Sequence, residues 1–407
     1  MQWPGRTRIA FSALLLFTLI AIPAQSANAQ TLTVLHSFTG GADGGYPTAG
    51  LTKAGTENFY GTTYLGGGPG NGVIFRLAHV GTGWILTPLF AFPGGYYGSN
   101  PQARVIRGPN GTLFGTTSFG GYYGLGTVFN LRPPAAACST ALCGWSDSVI
   151  YRFLGGTDGG FPWYGDLIFD QQGNIYGTTS GGGGPTGTVY ELTPAGGGWT
   201  ENVLYQFNSS NNGEAPYSGV IFDRVGNLYG TTYDGGTHGR GVVFQLTPSG
   251  SGWTESVLYS FQGSSDGAYP EGDLIFDQSG NLYGTTSGGG SPGSVFELSP
   301  SQGEWTLTVI HDFSGPGPTG PAAGLTMDAA GNLYGAELGG AYGYGSVFKL
   351  TPAQNGSWTY SDLYDFFGAQ DGSQPYGKVL VDTDGNLFGT ALGGGAHGAG
   401  VIWEITP

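Results

Sequence analysis

The sequence predicts an all-β fold: a single seven-bladed β-propeller of four-stranded blades, closed by an N-terminal strand that completes the last blade. Three observations lead to this prediction. One unit recurs seven times, each copy contains short apolar runs separated by glycine-rich turns, and the first and last copies are incomplete. Repeats of roughly 40–50 residues with four short strands are typical of propeller blades.

Composition agrees with many short strands joined by tight turns. Glycine accounts for 82 of the 407 residues, without the spacing at every third position that collagen requires. The chain also has 24 tyrosines and 24 phenylalanines, whereas disordered chains are poor in aromatic residues. Abundant glycine together with aromatic residues therefore indicates strands and turns.

Three sequence anchors recur in fixed order in all seven copies. The first is NLYGTT, whose aromatic residue is Tyr60, Phe114, Tyr176, Tyr229, Tyr283, Tyr334 and Phe388. The second is GxVFxL, which ends at Leu77, Leu131, Leu192, Leu246, Leu298, Leu350 and Ile405. The third is VLYxF, which ends at Phe38, Phe92, Phe153, Phe207, Phe261, Phe313 and Phe366. Such repetition predicts one structural module used seven times.

Each copy has room for four strands, as residues 267–313 illustrate. In order these are GDLIFD (272–277), NLYGTT (281–286), SVFELS (294–299) and WTLTVIHDF (305–313). The first is a compact apolar run suited to a strand buried on both faces. The central glycine of the second predicts the close approach of a neighbouring backbone. The blades are predicted at 44–92, 98–153, 160–207, 213–261, 267–313, 318–366 and 372–407.

The two ends of the repeat region complete each other. The chain begins with VLHSF (34–38), which lacks a preceding GxVFxL, and ends with GVIWEI (400–405), which lacks a following VLYxF. Residues 30–38 are therefore predicted to be the outer strand of the seventh blade, since an open solenoid would need distinct capping repeats. Six tryptophans stand eight positions before the closing phenylalanine: Trp84, Trp145, Trp199, Trp253, Trp305 and Trp358. They are predicted to pack at blade edges, with ligand stacking as the alternative.

Residues 1–29 have the features of a secretory signal peptide. Arg6 and Arg8 supply positive charge, residues 9–22 are apolar, and Ala27-Asn28-Ala29 forms a cleavage site. A retained anchor is the alternative, although the apolar run is short for a membrane span. We expect a secreted, extracellular protein, with the periplasm or the cell surface as the alternative, and no membrane span in the mature chain.

The chain is acidic, with 27 Asp and Glu against 12 Lys and Arg. Without Arg6 and Arg8 the balance becomes 10 − 27 = −17 for the mature chain. This charge disfavours nucleic acid and anionic membranes as partners, because their phosphate groups are repelled. Cys138 and Cys143 lie close together in one insertion, and in an exported protein they are predicted to form a local disulfide.

The repeat resembles a known family. GNLYGTT, a glycine loop, GTVYELTP, and VLYQF followed by Asp-Gly and Pro are similar to the Gloeo/Verruco (GloVer) tandem repeat, and the resemblance spans all seven copies. It implies a secreted or surface protein of bacteria and implies no particular activity. Members often carry C-terminal sorting anchors, whereas this sequence ends at Pro407 after the last strand, which favours free secretion. The unit also loosely resembles NHL-type propeller repeats.

Two columns of aspartates stand in predicted turns. Four interblade loops, expected on the same face as the glycine loops, carry Asp-Gly at Asp43, Asp158, Asp266 and Asp371. They would bind a cation or sugar hydroxyls, or only form the turn that Asp-Gly favours. The second column is Asp170, Asp223, Asp277, Asp328 and Asp382, each expected to accept N–H groups of its own turn. Gly393 stands where a calcium loop starting at Asp382 would need a glutamate.

Tyrosines among glycines form the composition of an adaptable recognition surface. Tyr96 and Tyr97 precede the second blade, and Tyr122, Tyr123, Tyr342 and Tyr344 lie in glycine loops. They would stack on sugar rings or on a peptide, or pack on their own blades. His238 and His397 lie in glycine loops three blades apart, too distant to hold one metal. We find no spacing for a triad, phosphate loop or metal site, and predict no catalytic residue, cofactor or metal.

Near-uniform blades favour a non-catalytic binding propeller with a glycan or protein ligand, acting as a monomer. The alternative is an extracellular enzyme, a hydrolase or lyase acting on polysaccharide. That alternative requires acidic residues that are unique to one or two blades and converge near the axis. A purely structural coat or matrix component is a third interpretation.

Overall fold

The computed structural model describes residue 1 and residues 30–134, 144–182, 184, 186–208, 210–289, 292–313 and 320–407. The predicted signal peptide, apart from residue 1, and the predicted disulfide of Cys138 and Cys143 lie outside these ranges. Within them, no helix has the length and apolar character needed to cross a bilayer.

The described residues form seven antiparallel sheets of four strands. The first three blades are β2 (Thr52–Lys53), β3 (Asn58–Thr63), β4 (Val73–Val80), β5 (Gly83–Ala91); β6 (Ile106–Arg107), β7 (Leu113–Thr117), β8 (Thr127–Arg132), β9 (Ser146–Arg152); β10 (Ile168–Phe169), β11 (Ile175–Thr179), β12 (Thr188–Ala195) and β13 (Gly198–Gln206). The next three are β14 (Ile221–Phe222), β15 (Leu228–Thr232), β16 (Val242–Ser249), β17 (Gly252–Ser260); β18 (Ile275–Phe276), β19 (Leu282–Thr286), β20 (Ser294–Ser301), β21 (Glu304–Asp312); β22 (Thr326–Met327), β23 (Leu333–Glu337), β24 (Ser346–Pro352) and β25 (Trp358–Asp365).

The seventh blade joins both ends of the chain. It comprises β26 (Leu380–Val381), β27 (Leu387–Ala391), β28 (Val401–Thr406) and β1 (Thr31–Ser37). β1 pairs antiparallel with β28 from Thr31–Thr406 to Ser37–Val401, with a bulge between Val34 and His36. The outer strand of the fifth blade has a bulge at the same place, between the partners of Val295 and Phe296. The predicted seven-bladed, closed propeller is therefore confirmed. Short 3₁₀ turns lie at Gly95–Tyr97, Pro109–Gly111, Gly156–Asp158 and Ser210–Asn212.

Inner strands are shorter than the sequence predicts. GDLIFD at 272–277 contributes only Ile275 and Phe276 to a ladder. The residues before them contact neighbouring blades instead, and Asp273 accepts a hydrogen bond from the backbone N–H of Gly219, in the preceding blade, at 2.6 Å. Because seven blades converge at the axis, these backbone groups find partners between blades and not within one sheet.

The hydrophobic core lies between neighbouring blades. Each closing phenylalanine contacts the aromatic residue of the next blade's third strand, as Phe261 contacts Phe296 at a ring-centroid distance of 5.3 Å. Phe38 contacts Phe75 in the same way at 5.4 Å, so β1 joins the seventh blade to the first. Both phenylalanines are fully buried. Burying such a side chain contributes about 1.5–3 kcal/mol, so the interblade seams hold much of the fold's stability.

The central glycine of NLYGTT meets an aromatic ring, so the prediction of a neighbouring backbone is wrong. A Cβ at Gly284 would lie 2.5 Å from the ring of Phe296, the residue paired with it across β19 and β20. The Phe296 ring, which packs between two blades, thus lies against Gly284 of the preceding strand. Only a glycine leaves room for the ring at that position.

The tryptophan column also packs between blades. Trp305 of the fifth blade contacts Tyr229 of the fourth at 6.3 Å, and Trp145 of the second contacts Tyr60 of the first at 6.1 Å. These tryptophans stand at the start of the outer strands, which are the edge strands of their blades, and there they contact the preceding blade. Their column belongs to the seams of the ring.

Turns of the second aspartate column are held by their own carboxylates, as expected. Asp223 accepts hydrogen bonds from the N–H groups of Val225 and Asn227, and also from the Asn227 side chain. Burial would raise the pKa of Asp223, but these hydrogen bonds outweigh it and hold that pKa below its usual range.

Interblade loops and glycine loops lie on one face, which we call the loop face. Isolated bridges tie them together, for example Ser99–Phe119 and Ala268–Gly288. Six residues that precede a proline have φ between 53° and 60°: Tyr46, Asn100, Phe161, Ala215, Tyr269 and Gln374. Their N–H groups donate to the previous blade's glycine loop, as Tyr269 does to Arg240 at 3.0 Å. Such left-handed conformations cost roughly 1–3 kcal/mol each and are held by the surrounding structure.

Candidate functional site

A tier of residues that differ between blades surrounds the axis just before the inner strands. Successive blades place there Gly50, Arg104, Asp166, Gly219, Asp273, Gly324 and Lys378. The four charged members are two cations and two anions, which balance one another. We call these four residues the axial charge cluster.

Arg104 and Asp166 form the tightest contact of this cluster. The Arg104 guanidinium donates from Nε to Asp166 at 2.6 Å and forms an ion pair through its second nitrogen. The Arg104 backbone N–H donates to the other carboxylate oxygen at 3.0 Å. Burial alone would lower the pKa of Arg104, but the Asp166 carboxylate outweighs it and raises that pKa. The Asp166 side chain is 10% exposed and that of Arg104 27%, so breaking this largely buried pair is costly because one charge loses its partner.

Asp273 and Lys378 complete the cluster. Burial, followed by the charge of Asp166, raises the pKa of Asp273. Burial, followed by the charge of Arg104, lowers the pKa of Lys378. The intervening glycines allow close packing: a Cβ at Gly219 would lie 2.4 Å from the carbonyl oxygen of Asp166. Charged side chains from four blades therefore fill the axis, and glycines give them room.

The charge cluster is the floor of a small cavity on the loop face. This cavity measures ≈ 40 Å³ and is also lined by Gln102, Tyr164, Glu271 and Tyr376. Below the cluster the axis widens into a cavity of ≈ 480 Å³ with largely apolar walls, including Ile168, Ile221 and Ile275. A water needs about 10–15 Å³, so the upper cavity has room for about three waters and not for an enclosed organic ligand.

Glu271 is the acidic residue of the upper cavity. Burial raises the pKa of Glu271 to about 7, although its hydrogen bond from the Ser287 hydroxyl, at 3.1 Å, opposes the effect. Burial also raises the pKa values of Tyr164, Tyr217, Tyr233 and Tyr376, and the charge of Glu271 adds to this. These tyrosine hydroxyls therefore remain protonated and can donate hydrogen bonds.

We expect Glu271→Gln to stabilise the protein at pH 8 and to change little at pH 5. In the folded state the carboxyl holds its proton up to about pH 7, while in the unfolded chain it loses it near 4.5. The contribution of the Glu271 proton to the free energy of unfolding is thus fully present below pH 4.5, and it is lost as the pH rises towards 7. The amide removes this loss, which is about 1–3 kcal/mol. Melting temperatures of both proteins between pH 4.5 and 8.5 measure it, and parallel curves would contradict it.

An aromatic ladder runs from the third to the fifth blade and contacts Tyr164, one of the residues that line the upper cavity. Trp163 stacks on Tyr217 with ring centroids 5.4 Å apart and planes 13° apart. Tyr217 contacts Tyr233 at 4.8 Å, and Tyr233 stacks on Tyr269 at 4.9 Å. The guanidinium of Arg240 lies 5.2 Å from the Tyr269 ring and extends the ladder. All four aromatic residues keep part of their surface exposed.

The mouth is therefore asymmetric in a nearly symmetric molecule. Glu271, Tyr164 and the ladder lie on blades three to five, whereas the first and sixth blades supply Thr48 and Ala322 to the same cavity. Flat rings, hydroxyl donors and one carboxyl suit a polyhydroxylated ligand, because its C–H faces can stack while its hydroxyls form hydrogen bonds.

The predicted interblade aspartates are engaged within their own loops. Asp266 accepts hydrogen bonds from the Gln262 N–H at 2.8 Å and from the Tyr259 hydroxyl at 3.0 Å. The same pattern holds the other three: Asp43 contacts Thr39 and His36, Asp158 contacts Leu154 and Tyr151, and Asp371 contacts Phe367 and Tyr364. The structure does not bring the four carboxylates together.

The predicted tyrosines and histidines lie at the surface of the loop face. Tyr96, Tyr97, Tyr122, Tyr123, Tyr342 and Tyr344 are between 45% and 68% exposed. His238 and His397 are exposed in their glycine loops. In the part of the chain that the structure describes, no three His, Cys, Asp or Glu residues come together as a metal site.

Sequence reasoning missed the axial charge cluster, Glu271 and the aromatic ladder. A signal was present, because the residue two positions before each first strand varies between copies while its neighbours repeat. The third copy also has one extra residue after its proline, so that Tyr164 lines the upper cavity and Trp163 packs against it. Alignment of the seven copies at the proline would have shown both features.

Solved structures with the same architecture include enzymes of different kinds. An ulvan lyase, representing a polysaccharide lyase family, is 10% identical over 88% of this chain and 92% of that chain, with a TM-score of 0.54. Its complex with -[GlcA(1-4)Rha3S]- is 11% identical over 89% of this chain and 94% of that chain, also at 0.54. A 6-phosphogluconolactonase candidate from Bacteroides uniformis is 15% identical over 84% and 89%, at 0.53. At these identities the similarity shows the fold alone.

Comparison of the sequence with family models gives a more specific result. No curated protein matches the chain. The model of the Gloeobacter/Verrucomicrobia repeat matches residues 22–148, 141–335 and 256–407, which together cover every blade. The chain belongs to the Gloeobacter/Verrucomicrobia repeat family and folds as a seven-bladed propeller.

Proposed function

We propose that this propeller is an exported glycan-binding protein that recognises a neutral saccharide at the axial mouth of the loop face. One observation carries the proposal: Glu271 and the hydroxyls around it lie beside a ladder of partly exposed aromatic rings on one side of the mouth. Export is supported by the leader-like features of residues 1–29.

The dimensions of the site indicate how such a ligand is held. The ≈ 40 Å³ cavity can admit a hydroxyl or hydroxymethyl group but not a sugar ring, since pockets that enclose ligands measure about 300–1,000 Å³. A saccharide would lie on the aromatic ladder and insert one polar group towards Glu271. The ladder then supplies contact area, and Glu271 supplies orientation.

Charge favours a neutral ligand. The chain carries 27 acidic against 12 basic residues, and the Glu271 carboxyl of the upper cavity adds a further negative charge above about pH 7. A polymer bearing sulfate or carboxylate groups would be repelled over the whole approach. A neutral saccharide avoids this repulsion and can accept or donate hydrogen bonds in either protonation state of Glu271.

Binding of neutral oligosaccharides to residues 30–407 tests the proposal. We expect measurable binding to at least one of the cello-, laminari-, manno- and xylo-oligosaccharide series by calorimetry. At pH 8.5, where the Glu271 carboxyl is ionised, Glu271→Gln should weaken it about tenfold or more, because a hydrogen bond to a charged group contributes about 1.5–3 kcal/mol. Tyr217→Ala should weaken it by about tenfold through loss of stacking.

Glu255→Gln is the matched control. Burial raises the pKa of Glu255 to about 7 as it does for Glu271, but Glu255 lies on an outer strand beside Tyr205 and Asn212. It should leave saccharide affinity unchanged. Absence of binding to all four series, or equal losses in the two glutamine variants, would sink the proposal.

Catalysis on polysaccharide is the second candidate function. Glu271, Asp273 and Asp166 are acidic residues specific to the fifth and third blades that converge at the axis, as an enzyme would require. Burial raises the pKa of Glu271 to about 7, so this carboxyl could act as a general acid, as the raised-pKa carboxyl of a glycosidase does. Release of shorter oligosaccharides that stops in Glu271→Gln would favour the enzyme, and retention without cleavage would favour the binding protein.

A further inference from the structure

We propose that the saccharide is a linear polymer that crosses the loop face, held at two exposed aromatic platforms on either side of the axial mouth. This inference rests on the proposed glycan-binding function and specifies its ligand. Platform one consists of Tyr96, Tyr122 and Arg152. Platform two consists of Tyr342, Tyr344 and Phe367.

In the part of the chain that the structure describes, exposed aromatic side chains are confined to the loop face. Among the residues described, those with large exposed surfaces all lie in interblade or glycine loops: Tyr46, Tyr96, Tyr97, Tyr122, Tyr123, Tyr342, Tyr344 and Phe367. The exposed large side chains of the strands and opposite turns are aliphatic, such as Ile85 and Val225. This one-sided distribution indicates that the loop face contacts a ligand, since exposed aromatic clusters mark binding surfaces.

Platform one is organised by its own contacts. Tyr96 and Tyr122 pack edge to face with centroids 5.4 Å apart. The Arg152 guanidinium lies 5.3 Å from the Tyr122 ring, and its Nε donates to the Tyr96 carbonyl at 3.0 Å. Tyr96 and Tyr122 nevertheless remain 61% and 62% exposed. The rings are thus held in place while much of their surface stays free for stacking.

Platform two has the same character. Tyr342 and Phe367 contact each other at 4.5 Å with planes 33° apart, and they remain 55% and 54% exposed. Tyr344 lies over Gly368, where a Cβ would meet its ring at 2.4 Å. An exposed phenylalanine in a loop has no hydrogen bond to offer, so its exposed surface can contribute to binding only by apolar contact.

The platforms flank the mouth. Platform one belongs to the loops around the second blade, and platform two to those between the sixth and the seventh. Counted in either direction, at least two complete blades separate the platforms, and the shorter way passes through the seventh and first blades. The platforms therefore lie on different sides of the axis. A straight line between them crosses the loop face on the side of the seventh and first blades, so a polymer that spans both platforms passes beside the mouth.

The small axial cavity makes outer contacts necessary. A cavity of ≈ 40 Å³ cannot enclose a sugar ring, so most of the contact area must lie on the loop face itself. A linear chain of linked sugar units reaches both platforms and the mouth at once, and each added contact acts with a high effective concentration. A mono- or disaccharide reaches only one of them.

Chain-length dependence of binding tests the inference. Residues 30–407 are titrated with the cello-, laminari-, manno- and xylo-oligosaccharide series, each from disaccharide to octasaccharide. We expect affinity to rise with length. Tyr96→Ser/Tyr122→Ser and Tyr342→Ser/Phe367→Ser should each weaken octasaccharide binding about tenfold, given the size of aromatic contact energies, and leave disaccharide binding within about twofold.

Two further variants separate this inference from the proposed function. Val225→Ser, at an 82% exposed position on the opposite face, should change nothing at any length. Glu271→Gln should weaken short and long chains alike. If the platform variants keep the wild-type length dependence while Glu271→Gln weakens binding, the platform inference fails and the proposed function stands. If no series binds the wild-type protein, both fail.

Discussion

Removal of residues 30–38 is expected to destabilise the protein by more than about 5 kcal/mol, a large part of the total stability of a folded domain. These residues supply β1, which pairs with β28 and covers Trp403 and Ile402. Without them the seventh blade exposes an unpaired strand edge and its seam with the first blade loses Phe38. Chemical unfolding of residues 39–407 against 30–407 measures the loss.

A shortened chain that fails to fold would leave no unfolding curve, so Phe38→Ala provides the graded test. Its matched control is Phe261→Ala, at the same position of a blade formed by continuous chain, and both side chains are fully buried. Each should cost about 3–5 kcal/mol. If Phe38→Ala lowers the free energy of unfolding much less than Phe261→Ala does, the N-terminal strand contributes little to stability and the closure prediction fails.

Asp166→Asn is expected to destabilise the protein by about 3 kcal/mol or more, because it leaves the Arg104 charge without its partner inside the ring. Arg104 would then face Lys378 with only Asp273 to balance both. The melting temperature at pH 7 measures the effect. The double variant Arg104→Met/Asp166→Leu should recover much of the loss, since no unpaired charge remains.

The control for this prediction is Glu57→Gln. Glu57 contacts His79 at 3.4 Å, but its side chain is 62% exposed. Loss of the Glu57 charge should therefore change the free energy of unfolding by less than about 0.5 kcal/mol. Equal effects of Asp166→Asn and Glu57→Gln would show that the axial pair is screened by water and contributes little.

The blade architecture was predictable because its determinants are local and repeated. Each anchor contains the residues that make its own strand or turn, such as Phe296 and Leu298 of β20, which are both fully buried. The closure was predictable for a similar reason: VLHSF at 34–38 matches the other outer strands, and even the bulge after Val34 recurs. Sevenfold recurrence averages out the ambiguity of any single short strand.

The axial site could not be predicted in the same way. Whether Asp273 faces the axis depends on how seven separate strand ends converge, which no single repeat encodes. Likewise, the ladder joins Trp163, Tyr217 and Tyr269, residues from three different blades. The exposed tyrosines were found because composition alone marks them, whereas the partly buried ones resemble ordinary core residues in sequence.

The left-handed residues before the prolines have a consequence for the aperture of the mouth. Each links its own blade to the glycine loop of the previous one, and the link between Tyr46 and Ala399, at 2.7 Å, lies where head and tail of the chain meet. Because these hydrogen bonds connect successive blades around the ring, the diameter of the opening depends on all of them together. Loss of the hydrogen bond between Tyr46 and Ala399 would therefore widen the opening around its whole rim, including beside Glu271 in the fifth blade.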